Sequence, residues 1–271
     1  MEKLDLSRFG MESERSYDPA ALGRMKAEAY NRSGGNYTGI DCPKCLNRGN
    51  SAVVREDGSM AFVECDCMEV RRSVWKMEES GLKHVIRDMT FERFQATEAW
   101  QKQIRDSAMA YGETLEGWLL LCGQVGSGKT HLCTAVCRHR LLKGEAVRYM
   151  PWRDDVARVK ALSLDNAQRS KAMEELKTAP LLYIDDLFKS GRNADGNANP
   201  TGADVSIAFE IINYRYLNHL PTVISTEKTP EELLAIDEAT ASRIIERAGA
   251  NTLYISRKPE RNYRLRGVLT L

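Results

Sequence analysis

Short apolar runs recur from about Gln95 onward: "GWLLLC" (117–122), "AVRYM" (146–150), "LLYID" (181–185), "PTVIS" (221–225) and "NTLYIS" (251–256). Between them lie longer stretches in which apolar residues return every three to four positions, the period of an amphipathic helix. Strand and helix patterns in alternation predict an α/β domain. The unbroken apolar strands predict a five-stranded parallel sheet covered by helices on both faces. "TPEELLA" adds a helix start: Thr229 and Glu232 fit a capping box, with Pro230 at the first helical position.

The pattern ahead of Gln95 is different. "DPAALGRMKAEAYNR" predicts a helix with Asp18 as N-cap and Pro19 in the first turn, and "SGGNYTG" ends it. "SAVVREDGSMAFV" predicts two short strands turning at Asp57-Gly58. "MEVRRSVWKMEESGLK" predicts a helix stopped by Gly81, and "MTFERFQ" a connector carrying Phe91 and Phe94. Residues 189–204, rich in Gly, Asn and Asp, predict a surface loop. The expected organisation is an N-terminal helical or flexible segment (1–40), a hairpin module (41–70), a connector helix and linker (71–94), and the α/β domain (95–271).

Composition narrows the functional classes. A net charge of +1 excludes a globally basic nucleic-acid binder, so any such contact has to come from local patches. No apolar run approaches the ~20 residues that span a bilayer, and the first residues lack an apolar signal region. A cytoplasmic protein without a membrane partner is expected. Of the seven cysteines, Cys122, Cys133 and Cys137 fall in apolar or helical surroundings and read as buried thiols. Cys42 and Cys45 form C-x-x-C, Cys65 and Cys67 form C-x-C, and the predicted hairpin brings the pairs together. Four thiolates make a closed structural zinc site with no open position for catalysis. The segment between the pairs holds two arginines against three acidic residues, a poor balance for gripping phosphate. A docking module is the better reading of it.

"GQVGSGKT" fits G-x-x-x-x-G-K-[ST], with a strand running into it and a helix running out. Gly123, Gln124, Val125, Gly126, Ser127, Gly128, Lys129, Thr130 and His131 are therefore expected around the phosphates of ATP or ADP. Glycines allow backbone N–H groups to point inward, Lys129 reaches the β- and γ-phosphates, and the Thr130 hydroxyl holds Mg²⁺. "LLYIDDLF" ends a strand in two carboxylates, with Asp185 expected on Mg²⁺ and Asp186 on the attacking water. The strand ending in Ser225 and Thr226 is expected between the other two, where Thr226 or Ser225 senses the γ-phosphate. Arg243 and Arg247, at i, i+4 spacing in "ATASRIIERAG", suit trans-acting fingers on a neighbouring subunit's nucleotide.

With these residues assembled, the chain resembles the DnaC/DnaI-type bacterial and phage helicase loaders. "GQVGSGKTHL", "LLYIDDLFK", "FEIINYRY", "PTVISTEKTPEEL" and "ASRIIERAG" are similar to that family's AAA+ core. "MTFERF" is similar to its connector, and the cysteine segment to its zinc-bearing N-terminal part. The resemblance implies an ATPase, weak on its own, that engages a hexameric replicative helicase and helps place it on single-stranded DNA. It also implies self-association through the AAA+ domain and no full helical lid. Arg243 becomes the better finger candidate. "INYRYLNH", with Tyr214, Arg215 and Tyr216, and the tail residues Arg264 and Arg266 are weaker candidate contacts to DNA or nucleotide. Two alternatives stand beside this reading: a transposition-helper (IstB-like) ATPase acting on double-stranded DNA, and a non-enzymatic DNA-binding zinc protein.

Overall fold

The structure, a computed structural model, describes residues 18–77, 85–189 and 199–265. Gly81, Arg266 and most of the 189–204 loop lie outside these residues. The chain divides into two compact units, residues 1–68 and 69–271.

In the first unit, helix α1 (Pro19–Arg32) starts as its sequence predicts, with the Asp18 carboxylate accepting from the Ala20 amide and proline in the first turn. Strands β1 (Asn50–Val54) and β2 (Met60–Glu64) pair antiparallel. Between them Gly58 takes a positive φ of 80°, the turn that Asp-Gly favours. Helix α1 lies on this hairpin through specific polar contacts. The Asn31 side chain accepts from the Ala52 amide at 2.8 Å and donates to the Ala52 carbonyl at 2.9 Å. The Tyr30 hydroxyl donates to Asn50 at 2.6 Å, and the Tyr30 and Phe62 rings stand 4.8 Å apart.

From Cys67 onward one or more helices precede each strand. Helices α2 (Cys67–Met77), α3 (Val85–Asp88) and α4 (Ala99–Thr114) lead into β3 (Trp118–Gly123). Then come α5 (Lys129–Leu142), β4 (Val147–Pro151), α6 (Trp152–Ala161), α7 (Asn166–Thr178), β5 (Leu181–Asp185) and α8 (Gly202–Leu217). Strand β6 (Thr222–Thr226), helices α9 (Pro230–Ile236) and α10 (Glu238–Ala248), and β7 (Thr252–Ile255) complete the order. Helix α9 opens with the expected capping box of Thr229 and Glu232.

All five predicted strands join one parallel sheet in the order β4-β5-β6-β3-β7. Strand β6 does lie between the phosphate-loop strand and the strand of the two aspartates. Every residue of β3 is buried, because helices cover both faces of the sheet. Each fully buried leucine of "WLLLC" contributes about 1.5–3 kcal/mol of transfer free energy. Cys122, Cys133 and Cys137 are fully buried, and burial pushes the Cys122 thiol up to about 12, as inert core thiols require. Among the described residues no helix is long and apolar enough to cross a membrane.

One expectation fails here. Arg215 is one of the weaker candidate DNA contacts in the sequence, but its side chain is completely buried. Its guanidinium donates to the carbonyls of Leu176, Lys177, Ala179 and Pro221 and to the Thr222 hydroxyl. These acceptors lie at the C-terminal end of α7 and around the start of β6. Arg215 therefore supplies donors that these chain segments lack, and it is closed to nucleic acid. Burial lowers its pKa to about 10, leaving it protonated at neutral pH.

Candidate nucleotide and metal sites

The phosphate loop forms where β3 leaves the sheet and α5 begins. Gly123, Gly126 and Gly128 all have positive φ, at 101°, 69° and 93°. Close packing adds a second need for glycine. A Cβ on Gly123 would fall 2.1 Å from the Ile255 carbonyl oxygen, and one on Gly126 2.0 Å from Asn262 Oδ1. The segment after β7 binds the loop directly: the Gln124 amide donates to the Ile255 carbonyl at 2.9 Å, and the Tyr263 amide to the Gly126 carbonyl at 2.9 Å. The Lys258 amide donates to Gln124 Oε1 at 3.0 Å.

Lys129 is buried, with Nζ donating to the Gly123 carbonyl at 2.9 Å and the Gln124 carbonyl at 2.6 Å. Burial lowers its pKa from the usual lysine value. Neutral carbonyls solvate an ammonium less well than anions do, so the group is poised for phosphate oxygens.

Asp185 sits behind this loop. Its carboxylate accepts from Thr130 Oγ1 at 3.3 Å, Tyr149 at 2.9 Å, Tyr183 at 2.6 Å and Ser225 Oγ. Tyr149 and Tyr183 are register partners across β4 and β5, with rings 5.2 Å apart. Burial and the adjacent Asp185 charge push both phenols well above their usual pKa, so they remain donors. Asp186 follows in the left-handed region at φ 58°. Its amide donates to Ser225 Oγ at 2.9 Å.

A cavity of about 400 Å³ opens over the loop, a size suited to a small-molecule ligand. Val125, Gly126, Ser127, Gly128, Lys129, Thr130, His131 and Asp186 line it. The other expected site residues do not reach its wall. Gly123, Gln124 and Asp185 are not among its lining residues, although Asp185 accepts from Thr130, which is. The Thr226 hydroxyl donates to the Leu187 carbonyl at 2.8 Å and is fully buried; Glu227, one residue on, lines the cavity in its place. Arg243 and Arg247 lie on α10, outside this lining. Arg243 is held over the Phe209 and Tyr216 rings at 5.4 and 5.6 Å.

Several lining residues were missed by the sequence reading: Met89, Arg93, Phe94 and Gln95 from the connector, Lys189, Glu227 and Tyr263. Phe94 packs edge-on against His131 at 5.4 Å, and His131 Nε2 pairs with the Thr90 carbonyl at 2.8 Å. The Tyr263 hydroxyl donates to the Gln95 carbonyl at 2.7 Å. The connector and the segment after β7 thus meet over the phosphate loop. Arg264 also lines the cavity. The signal available in the sequence was Tyr183, two residues before Asp185 and hence on the same strand face. The rest depends on contacts between distant segments.

The four N-terminal thiols converge. Their Sγ atoms all lie within 4.8 Å of one another, with Cys42–Cys65 at 3.7 Å and Cys45–Cys67 at 3.6 Å. A tetrahedral zinc with ~2.3 Å bonds to sulfur requires sulfurs about 3.8 Å apart, so the donor set fits. Those separations are too long for disulfides. Leu46 and Asn47 turn through positive φ, directing the Gly49 amide to Cys45 Sγ at 3.3 Å. Burial opposes ionisation of Cys45, yet this amide and the neighbouring thiols bring its pKa down to about 6.

Residues 62–267 match the model of the "IstB-like ATP binding protein" family. The chain is 30% identical over 267 residues to the phage-like element PBSX protein XkdC of Bacillus subtilis, covering 94% of this chain and 97% of that protein. It is 23% identical over 158 residues to the replicative helicase loader DnaC of Escherichia coli, covering 57% of this chain and 61% of DnaC. In fold it is similar to AMPPCP-bound DnaA from Aquifex aeolicus, with a TM-score of 0.50 at 21% identity over 62% of this chain and 50% of that one. With its parallel sheet, phosphate loop and paired aspartates, the chain belongs to the IstB/DnaC-like family of AAA+ ATP-binding proteins.

Proposed function

We propose that this protein is a helicase loader: an ATPase that engages a hexameric DnaB-type replicative helicase and assists its placement on single-stranded DNA. The observation that carries this reading is the sequence similarity to the replicative helicase loader DnaC over 158 residues.

In this reading Lys129 exchanges its two carbonyl acceptors for phosphate oxygens, and the amides of Val125 to Thr130 surround the phosphates. Thr130 and Asp185 are the residues that would hold Mg²⁺, which when bound supplies charge stabilisation on the transferring phosphoryl group. Ser225 fixes both aspartates, through the Asp185 carboxylate and the Asp186 amide. Asp186 accepts a proton from the attacking water. Arg243 and Arg247 serve a neighbouring subunit's site, which fits their position away from their own cavity; Arg243 is held ready by Phe209 and Tyr216. Cys42, Cys45, Cys65 and Cys67 would hold a structural zinc ion that stiffens a helicase-docking module.

The family match itself favours a second reading, a transposition helper acting on double-stranded DNA. Full-length protein with Mg-ATP, incubated in parallel with a replicative helicase hexamer and with a transposase on duplex DNA, separates the two. A stable complex with the helicase is expected. A complex formed only with transposase and duplex DNA would reject the loader assignment.

A further inference from the structure

The strand end that should sense the γ-phosphate has spent its hydroxyls elsewhere. Ser225 Oγ is committed to Asp185 and the Asp186 amide, and Thr226 to the Leu187 carbonyl. The polar group that β6 delivers to the cavity wall is the Glu227 carboxylate. It converges there with Asp186 on one ammonium: Lys189 Nζ lies 2.7 Å from Asp186 Oδ2 and 2.8 Å from Glu227 Oε1. Lys129, Thr130, Asp186, Lys189 and Glu227 line the same cavity, and all three members of the ion cluster are partly exposed.

Two carboxylates this close repel, and the Lys189 ammonium offsets that repulsion. The arrangement has a chemical use. Asp186 has a short side chain for reaching a water aligned with the γ-phosphate, whereas a glutamate reaches one methylene further. We propose that Glu227 is a second catalytic carboxylate of the ATP site, acting with Asp186 on the water that attacks the γ-phosphate. The water oxygen bonds to the γ-phosphorus as the bond to the bridging oxygen breaks. The bridging electron pair stays on ADP, and the water proton passes to the carboxylate pair. Lys189 is the counter-ion that keeps both carboxylates at the cavity while no triphosphate is bound. This inference rests on the reading of the site as an ATPase.

The test is steady-state ATP turnover, with ATP affinity measured separately, for full-length wild type, Glu227→Gln and Glu227→Asp. Glutamine keeps the size of Glu227 and an oxygen for Lys189, so it removes the proton acceptor alone. Expected is a fall in kcat of at least about tenfold with ATP affinity unchanged to within about threefold, and turnover in Glu227→Asp above that of Glu227→Gln. Turnover of Glu227→Gln within about twofold of wild type would overturn the assignment. So would equal losses in both variants with weakened ATP binding, the signature of a structural role. An inactive wild type would instead reject the ATPase reading itself, and this inference with it.

Discussion

The ring of Phe94 occupies the space that a side chain on Gly128 would need: a Cβ there would lie 2.6 Å from the Phe94 ring. Gly128 also holds φ at 93°, where an L-residue is strained by about 1–2 kcal/mol. The connector therefore forms part of the cavity over the phosphate loop instead of a tether outside it. Gly128→Ala should abolish measurable nucleotide binding in a fluorescence titration. Phe94→Ala, which removes a buried ring from the cavity wall, should destabilise the ATP-binding unit by about 3 kcal/mol. It should weaken ATP binding at least about tenfold, equivalent to 1.4 kcal/mol or more.

Tyr149 and Tyr183 both donate to the carboxylate of Asp185, the residue proposed to hold Mg²⁺. Tyr183→Phe leaves the ring and removes only the donor. Loss of such partners typically costs 10–100-fold in metal affinity. The Mg²⁺ concentration for half-maximal ATP turnover should rise about tenfold in this variant, with little change in Mg²⁺-free nucleotide binding. An unchanged Mg²⁺ curve would remove the tyrosines from the account of the site.

Arg215 distinguishes structure from DNA contact. Arg215→Met strands the carbonyls of Leu176, Lys177, Ala179 and Pro221, each of which loses a charged donor. A loss of about 3–5 kcal/mol in chemical denaturation is expected. A single-strand affinity that fell in a variant of unchanged stability would contradict its placement in the core.

The thiol cluster predicts about one zinc per chain by elemental analysis. The small N-terminal unit has little apolar surface to bury, so metal binding supplies much of its folding free energy. Cys65→Ser or a strong chelator should unfold residues 18–68 by hydrogen exchange while the ATP site continues to bind nucleotide. A metal-free preparation with that segment fully protected would argue against a zinc staple.

The elements that follow local rules were legible in the sequence. The Asp18 cap, the Asp57-Gly58 turn, the capping box at Thr229 and the strand–loop–helix at Gly123–Thr130 each need only neighbouring residues. Apolar runs gave all five strands, because a parallel strand buried on both faces has few alternatives. What escaped depends on long-range packing. Phe94 reads as a loop aromatic until the connector folds over Gly128, and Arg215 reads as a helix-surface charge until α7 and β6 surround it. Thr226 has the right chemistry for a sensor, but its hydroxyl is taken by the Leu187 carbonyl. Glu227 looks like an ordinary loop acid, and only the turn after β5 brings Lys189 and Asp186 to it.

Equilibrium binding of Mg-ATP to the full-length chain tests the central claim most directly, comparing wild type with Lys129→Ala. Saturable binding by the wild type and a loss of at least about a hundredfold in the variant are expected, since the buried ammonium is replaced by no charge at all. Equal affinity in the two proteins would show that ATP is not held where the phosphate loop, the connector and the segment after β7 meet.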